Sequence, residues 1–550
     1  MTVILLYLAS TPIFFLVFGA FNEQVGKMDL TLKFFARAYG NRDILYLFSQ
    51  TLIFAVSSGL LSMLLGGTAA WITERTNARF RSLVVVCSLL AMAIPTILVA
   101  IAWVMLLGPG AGMINAWLMG LLNLSEAPFN IYTMAGMIWV EGVTGTAFAY
   151  VLMLPFFQSE DRALEESARM NGASGWQTLV RITLPLSVPG LLSIAIYRFI
   201  RGIEAFDIPA VLGLPRGIEL LSTRIYRVVN EEMSFGLANA YAIGTALLAV
   251  GCIYLYYRVL KQSNKFSIIT GKGYKPAKTD LGKWRFLGSG YLIFYLVAVV
   301  VLPVAAVLWS SFLPYTQLPS WEAVSHLTTV NYTNVLAKPQ VMRAFSNTFF
   351  LASFTPVICL FLAVIASWIV VRTKTRGRWV LDFLSFAVIA IPGITMGVAL
   401  IWVYLTLPIP VYGTIWILLI GYVTVFLPIC MRFMSPAMAQ IHKDLEESAY
   451  LSGASWFITF RKILMPLLLP AVAGAGLYVF VHVFRVLSMA IMVYTPKTIV
   501  VPVLIFKLWG ESQQGNALQA LLVLTLLVEL PFALAYFWII KKYGLNSRGV

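Results

Sequence analysis

The chain has 550 residues, of which 60% are hydrophobic and only 11% charged, with a mean hydropathy of +0.85. A water-soluble globule of this length would carry about 25% charged residues, so a soluble enzyme or a soluble binding module is excluded and an integral membrane protein is implied. The net charge of +16 would suit a nucleic-acid partner, but the basic residues lie in short loops between apolar runs, where the positive-inside rule places them; the expected surroundings are membrane lipid, with no nucleic acid.

A bilayer-spanning helix needs about 20 apolar residues. Twelve stretches qualify, at roughly 3–21, 52–73, 82–107, 130–155, 186–203, 238–259, 289–312, 347–371, 382–406, 411–433, 468–492 and 517–540. Met1-Thr2 passes directly into the first, with no basic region and no small-residue cleavage site, so this stretch reads as a retained helix and not as a signal peptide. The four cysteines (Cys87, Cys252, Cys359, Cys430) lie far apart in apolar spans. They show neither zinc nor disulfide spacing and read as small hydrophobes; no metal site is expected.

The stretches fall six and six around a polar linker, giving a first repeat over 1–260, a linker over 261–287 and a second repeat over 288–550. The linker holds Lys261, Lys265, Lys272, Lys275, Lys278, Lys283 and Arg285 against the single acid Asp280, which marks it as cytoplasmic. Counting crossings from there puts both termini inside, with Arg75/Arg79/Arg81 and Arg372/Lys374/Arg376/Arg378. The loop 22–51, with Lys27, Lys33, Arg37 and Arg42, runs against the rule, and the assignment follows the majority of loops.

The halves are related in sequence. Ala70-Trp71-Ile72…Arg75-Thr76 matches Ser367-Trp368-Ile369…Arg372-Thr373, and Ala93-Ile94-Pro95 matches Ala390-Ile391-Pro392, both 297 residues on. Further along the offset drops to 281, so the first half has a longer connection near 108–129, expected to lie in the interface or re-enter the membrane. Equal span counts and equal sidedness make the repeat parallel. Pro95 and Pro392 are expected mid-span, where proline kinks a helix.

The most specific match is a polar island within about 157–185 and again within about 434–466. Leu164-Glu165-Glu166-Ser167-Ala168-Arg169-Met170-Asn171-Gly172-Ala173-Ser174 is followed by Ile182 and Pro185. Leu445-Glu446-Glu447-Ser448-Ala449-Tyr450-Leu451-Ser452-Gly453-Ala454-Ser455 is followed by Ile463 and Pro466, each position 281 residues after its mate. Glu, Ala, Leu and Met suit a helix. Gly172 and Gly453 can take the positive φ that ends it, and Ser174 and Ser455 can cap the next. Pro185 and Pro466 are expected to stop that second helix before an apolar span.

Glu166-Ser167-Ala168…Gly172…Ile182-Thr183-Leu184-Pro185 and Glu447-Ser448-Ala449…Gly453…Ile463-Leu464-Met465-Pro466 resemble the cytoplasmic coupling loop of permease subunits of binding-protein-dependent ABC importers, with Ser for the first Ala and, once, Met for Leu. The resemblance covers nearly the whole chain and looks most like the fused two-permease subunits of the ferric-iron importer group. It implies an all-α membrane protein of about twelve spanning helices in two parallel six-helix repeats, with the type I importer permease fold, in the bacterial cytoplasmic membrane. It also implies two partners: an ABC ATPase dimer on the cytoplasmic side, carrying ATP and Mg²⁺, and a soluble substrate-binding protein on the outer side. No cofactor is expected on the chain itself. The residues implied for ATPase coupling are Glu165, Glu166, Ala168, Gly172, Glu446, Glu447, Ala449 and Gly453, with both glutamates of each pair at the contact and the glycines setting the turn. Ferric iron is the substrate implied; thiamine, polyamine and phosphonate permeases are similar groups.

Charge at membrane depth costs about 2.5–3.5 kcal/mol on insertion scales and usually faces a cavity or a partner. The fifth span ends Arg201-Gly202-Ile203-Glu204, and its repeat mate reads His482-Val483-Phe484-Arg485. Arg201, Glu204, His482 and Arg485 are candidate pathway residues, with a Glu204–Arg485 pair across the repeat axis as the sharpest form and a headgroup-level position as the alternative. The loop 213–237, with Arg216, Glu219, Arg224, Arg227, Glu231 and Glu232, is either a docking surface for a soluble protein or a solvated loop. No GxxxxGK[ST] phosphate cradle and no Ser/His/Asp or Cys/His constellation is present, so the chain is not expected to be an enzyme, and ATP hydrolysis falls to a separate subunit. A secondary transporter driven by an ion gradient would also be duplicated and basic inside. It would show acids within the membrane and would have no use for matched coupling loops. A membrane scaffold gives no reason for those loops either.

Overall fold

The computed structural model describes residues 2–22, 30–159, 167–168, 170–178, 180–181, 184–263, 280–381, 388, 391–511, 516–539 and 542. Glu165, Glu166 and linker residues 264–279 lie outside the described residues. Among the described residues the regular structure is helical, with isolated bridge positions at Asn22, Leu30 and Thr76, the first two paired antiparallel. A chain in lipid must satisfy its backbone internally, and helices built from Leu, Ile, Val, Phe and Ala do so.

In chain order the main helices are α1 (Thr2–Ala20), α2 (Asp43–Arg75), α3 (Arg81–Ala91), α4 (Thr96–Leu107), α5 (Met113–Leu122), α6 (Met134–Ser159), α7 (Gly175–Thr178), α8 (Leu184–Glu204), α9 (Leu221–Asn230), α10 (Phe235–Ser263), α11 (Arg285–Leu296), α12 (Leu302–Ser311), α13 (Pro339–Arg372), α14 (Gly393–Thr406), α15 (Ile415–Gln440), α16 (Asp444–Leu451), α17 (Trp456–Thr459), α18 (Met465–Val483), α19 (Val501–Gly510) and α20 (Ala517–Ile539). Among the described residues nine helical runs are long and apolar enough to cross a membrane, and the bent pair α3–α4 makes a tenth. The two remaining expected spans correspond to α8, which carries Arg198, Arg201 and Glu204 near its end, and α14, with 14 residues. The repeat is visible in register: α6 and α15 are both 26 residues long, and each begins and ends 281 residues from its mate.

Pro95 and Pro392 do more than kink. Pro95 (φ −57°, ψ 133°) and Pro392 (φ −55°, ψ 145°) are extended and stand immediately before α4 and α14. Helices α3 and α4 meet at 110°. A proline lacks the N–H that would continue the hydrogen-bond ladder, and extended ψ ends the helix outright.

The connection 108–129 contains a short helix, α5, pinned from within. Asn115 is buried. Its amide donates to the carbonyls of Leu107, Gly108 and Phe129, and its oxygen accepts from the Phe129 N–H at 3.1 Å. Asn123 closes α5 in the left-handed region at φ 52°, a conformation that asparagine tolerates.

The chain forms two compact units that interleave the sequence: Met1–Asn41, Arg224–Ala246 and Thr329–Val550 in one, Arg42–Thr223 and Leu247–Thr328 in the other. In the first, α1 packs on α14, and the Tyr7 and Tyr404 hydroxyls lie 3.2 Å apart. In the second, α12 packs on α4, and α2 lies along α6. Gly66 permits that last approach, since a Cβ there would stand 2.6 Å from the Thr146 carbonyl. Each unit thus receives its first span from the other sequence half. The outward faces remain apolar: on α13, Phe349, Phe354, Val357 and Phe361 are exposed while Leu351, Ala352, Thr355 and Cys359 are buried. Such a face is unfavourable in water and suited to hydrocarbon.

Candidate functional site

The two repeated islands fold alike where both are described. In the second copy, α16 ends at Leu451 and Gly453 turns the chain at φ +81°. The Ala454 N–H donates to the Ala449 carbonyl at 3.0 Å and the Gly453 N–H to the Tyr450 carbonyl at 3.0 Å, the paired closing bonds of a Schellman end. In the first copy Gly172 sits at φ +83° and the Ala173 N–H donates to the Ala168 carbonyl at 3.0 Å. Ala168 and Ala449 therefore act through their carbonyls, which accept the bond that closes each turn.

Serine caps follow. The Gln177 N–H donates to Ser174 Oγ at 3.2 Å and the Ser174 N–H donates to Gln177 Oε1 at 2.9 Å, a reciprocal capping box. In the second copy the Ile458 N–H donates to Ser455 Oγ at 3.4 Å. The prolines, however, do not end this second helix. After α17 the chain widens into a π-helical turn, Phe460–Leu464, and runs straight into α18, with Pro466 in its first turn; Pro185 likewise stands in the first turn of α8. The π-helical turn just ahead of Pro466 lets the helix pass the proline, so the second arm and the span behind it form one helical run over Trp456–Val483.

The two glutamates of the second copy part company. Glu447 is exposed, whereas Glu446 is buried. Arg372 Nε, at the end of α13, lies 2.8 Å from Glu446 Oε1, with the two side chains only 6% and 10% exposed. Arg372 Nη2 donates to the Met438 carbonyl at 3.0 Å and to that of Ile441. One helical turn earlier on α13, the Trp368 ring meets Trp456 edge-on at 5.3 Å. The outer face of the loop is apolar: Leu451 is 90% exposed and its mate Met170 89%, with Trp456, Phe457 and Ile458 also exposed. Exposed apolar side chains of this size suit a protein partner or lipid.

The candidate pathway residues are held within their own units. Arg201 Nη1 lies 2.7 Å from Glu204 Oε2, one turn along α8. His482 Nδ1 is 2.8 Å from the Tyr478 carbonyl, and its ring stacks on Tyr478 at 3.9 Å. Arg485 acts electrostatically on Glu529, which is buried in α20. Glu204 and Arg485 belong to different compact units, and Glu204 is ion-paired with Arg201 within its own.

Sequence reading missed the most enclosed pair. Arg198 Nη2, on α8, is 3.5 Å from Glu141 Oε1, on α6, with side chains 5% and 10% exposed. Arg198 Nε donates to Ser62 Oγ on α2 at 3.0 Å, and the guanidinium lies across Gly145, where a Cβ would stand 1.8 Å from Nη2. The second half has Tyr422 and Val479 at the matching positions. The available signal was Glu141 itself, the one acid within the apolar stretch 130–155. The loop 213–237 spends its charge on close neighbours: Arg224 on Glu232 at 2.8 Å, Arg227 on Glu231 at 2.9 Å, and Arg216 over the Tyr132 ring at 5.6 Å. Arg37 also reaches Glu232, at 2.9 Å. Among the described residues no three His, Cys, Asp or Glu side chains group as a metal site.

The family model described as "Binding-protein-dependent transport system inner membrane component" matches residues 60–265 and again 359–544. The chain belongs to this family. It is a fused pair of permease domains and a multi-pass membrane protein. The putative ferric transport system permease protein FbpB 1 of Haemophilus influenzae is 26% identical over 459 residues, covering 80% of this chain and 69% of that protein. The ferric transport system permease protein FbpB of Actinobacillus pleuropneumoniae is 24% identical over 514 residues, covering 92% and 72%. Among solved structures, a chain of a bacterial alginate ABC transporter in complex with an alginate-pentasaccharide-bound periplasmic protein is 23% identical, covering 47% of this chain and 94% of that one, with a TM-score of 0.38.

Proposed function

We propose that this permease is the transmembrane subunit of an ATP-driven importer and carries ferric iron delivered by a soluble binding protein. The observation that carries the reading is the pair of matched loops. Each has a glycine at positive φ, the same closing bond to an alanine carbonyl, a serine cap and an exposed apolar tip at Met170 or Leu451. Two equivalent docking elements suit two equivalent ATPase subunits. ATP and Mg²⁺ would reside on that ATPase dimer, with the loops, the linker and both termini on the cytoplasmic side of the bacterial inner membrane. Closure of the ATPase pair would displace two rigid helix–turn–helix arms, and the unbroken run Trp456–Val483 would carry that displacement into the span. Glu447, exposed on α16, would face the ATPase.

Ferric iron as substrate is supported by the names of the relatives above. Selection would then lie mainly in the binding protein, because the described residues bring no metal-ligand cluster together. A gradient-driven carrier needs an acid free to take up and release a coupling ion. Glu141 and Glu204 are held by Arg198 and Arg201, which favours the ATP-driven reading.

The test is uptake of radiolabelled ferric iron into proteoliposomes holding the permease, its co-purified ATPase and the binding protein. Uptake should require ATP and binding protein together. Uptake driven by a proton or sodium gradient without ATP would overturn the reading.

A further inference from the structure

The end of α13 grips both arms of the second coupling loop. Arg372 holds α16 through Glu446 and, with the same guanidinium, the carbonyls of Met438 and Ile441, which lie at the end of α15 and just beyond it. Trp368, four residues earlier, holds α17 through Trp456. Three helices and the connection between α15 and α16 thus converge on one buried arginine. A planar guanidinium can donate to two carbonyls while its charge lies against a carboxylate, which a lysine ammonium on a flexible stem does poorly. Burial keeps the pair out of reach of screening by salt.

We propose that Arg372 and Glu446 form a positioning strut that ties the loop to the second span of its half, so that displacement of α16 moves α13 together with α18. This rests on the importer reading above and adds to it a second route of transmission, distinct from the run into α18. It also gives the adjacent glutamates different tasks. Glu447 faces outward, whereas Glu446 faces inward against Arg372 and away from the ATPase. The repeat carries the same residue types in the first half, where Arg75, buried at the end of α2, matches Arg372, and Glu165 matches Glu446.

The tagged permease is purified from its own membranes with its ATPase, and ATP hydrolysis is read with and without the binding protein. Glu446→Gln keeps the side-chain size and removes the charge; Arg372→Lys keeps the charge and removes the fork. Both are expected to retain the ATPase at wild-type stoichiometry while stimulation of hydrolysis by the binding protein falls about tenfold. Leu451→Asp, on the exposed tip, should instead lose the ATPase. Wild-type stimulation in both strut variants would overturn the proposal, as would loss of the ATPase from Glu446→Gln to the same degree as from Leu451→Asp. A lowered unfolding midpoint with stimulation intact assigns the pair to stability alone and also overturns it. If the unaltered permease brings down no ATPase, the importer reading itself fails, and the strut's role fails with it.

Discussion

Removing the charge of Glu141 while leaving Arg198 in place should be among the most damaging conservative substitutions in the chain. The two charges are 3.5 Å apart and almost fully enclosed. At an effective dielectric of about 20 their attraction is about 5 kcal/mol, and breaking a buried pair from one side typically costs about 3–5 kcal/mol. The two single variants should differ. A carboxyl left alone can neutralise itself by taking up a proton, whereas a guanidinium cannot lose one. Glu141→Gln should therefore cost about 3–5 kcal/mol, Arg198→Met less, and the double variant Glu141→Gln/Arg198→Met least of the three, because it leaves no orphaned charge. The assay is reversible unfolding in mixed micelles, titrated with a denaturing detergent and followed by tryptophan fluorescence. Additive single costs, or a double variant worse than Glu141→Gln, would refute the reasoning.

Gly145→Ala tests the same cluster sterically. The new methyl would displace the Arg198 guanidinium, for about 1–3 kcal/mol of overpacking, and the cost should vanish when Arg198 is already alanine. Gly172→Ala and Gly453→Ala meet no neighbouring atoms within 4 Å, so each should pay only for positive φ, about 1–2 kcal/mol; the expected readout is weaker ATPase co-purification with an unchanged unfolding midpoint for the spans. Asn115→Ala strips the Phe129 N–H and three carbonyls of their side-chain partner. The expected loss is about 1–3 kcal/mol, with faster hydrogen exchange confined to residues 108–129.

The fold was legible wherever a local rule sufficed. Apolar runs of spanning length marked the spans, and the glycine and serine spacing marked both coupling turns, because positive φ and capping are decided by a few adjacent residues. The prolines show the limit. Pro466 read as a stop, yet a π-helical turn ahead of it lets the helix continue, and nothing in Phe460–Leu464 announces that turn. Pro95 read as a kink, and the extended backbone there breaks the helix outright. The site was half legible for a different reason. That a glutamate pair precedes the turn is plain in sequence; which of the two faces inward depends on where Arg372 arrives, 74 residues earlier on another helix. The Glu141–Arg198 pair is likewise a meeting of two helices, and Tyr422 and Val479 at the matching positions hide it from any comparison of the halves.

The proposed function turns on two matched loops receiving two ATPase subunits. It is tested most directly by isolating the tagged permease from its native membrane in mild detergent and measuring which ATPase accompanies it and in what ratio. Two ATPase subunits per permease chain are expected, lost when Gly172→Pro and Gly453→Pro are combined. A permease that purifies without any ATPase under conditions that preserve membrane complexes, and that still moves its substrate, would contradict it.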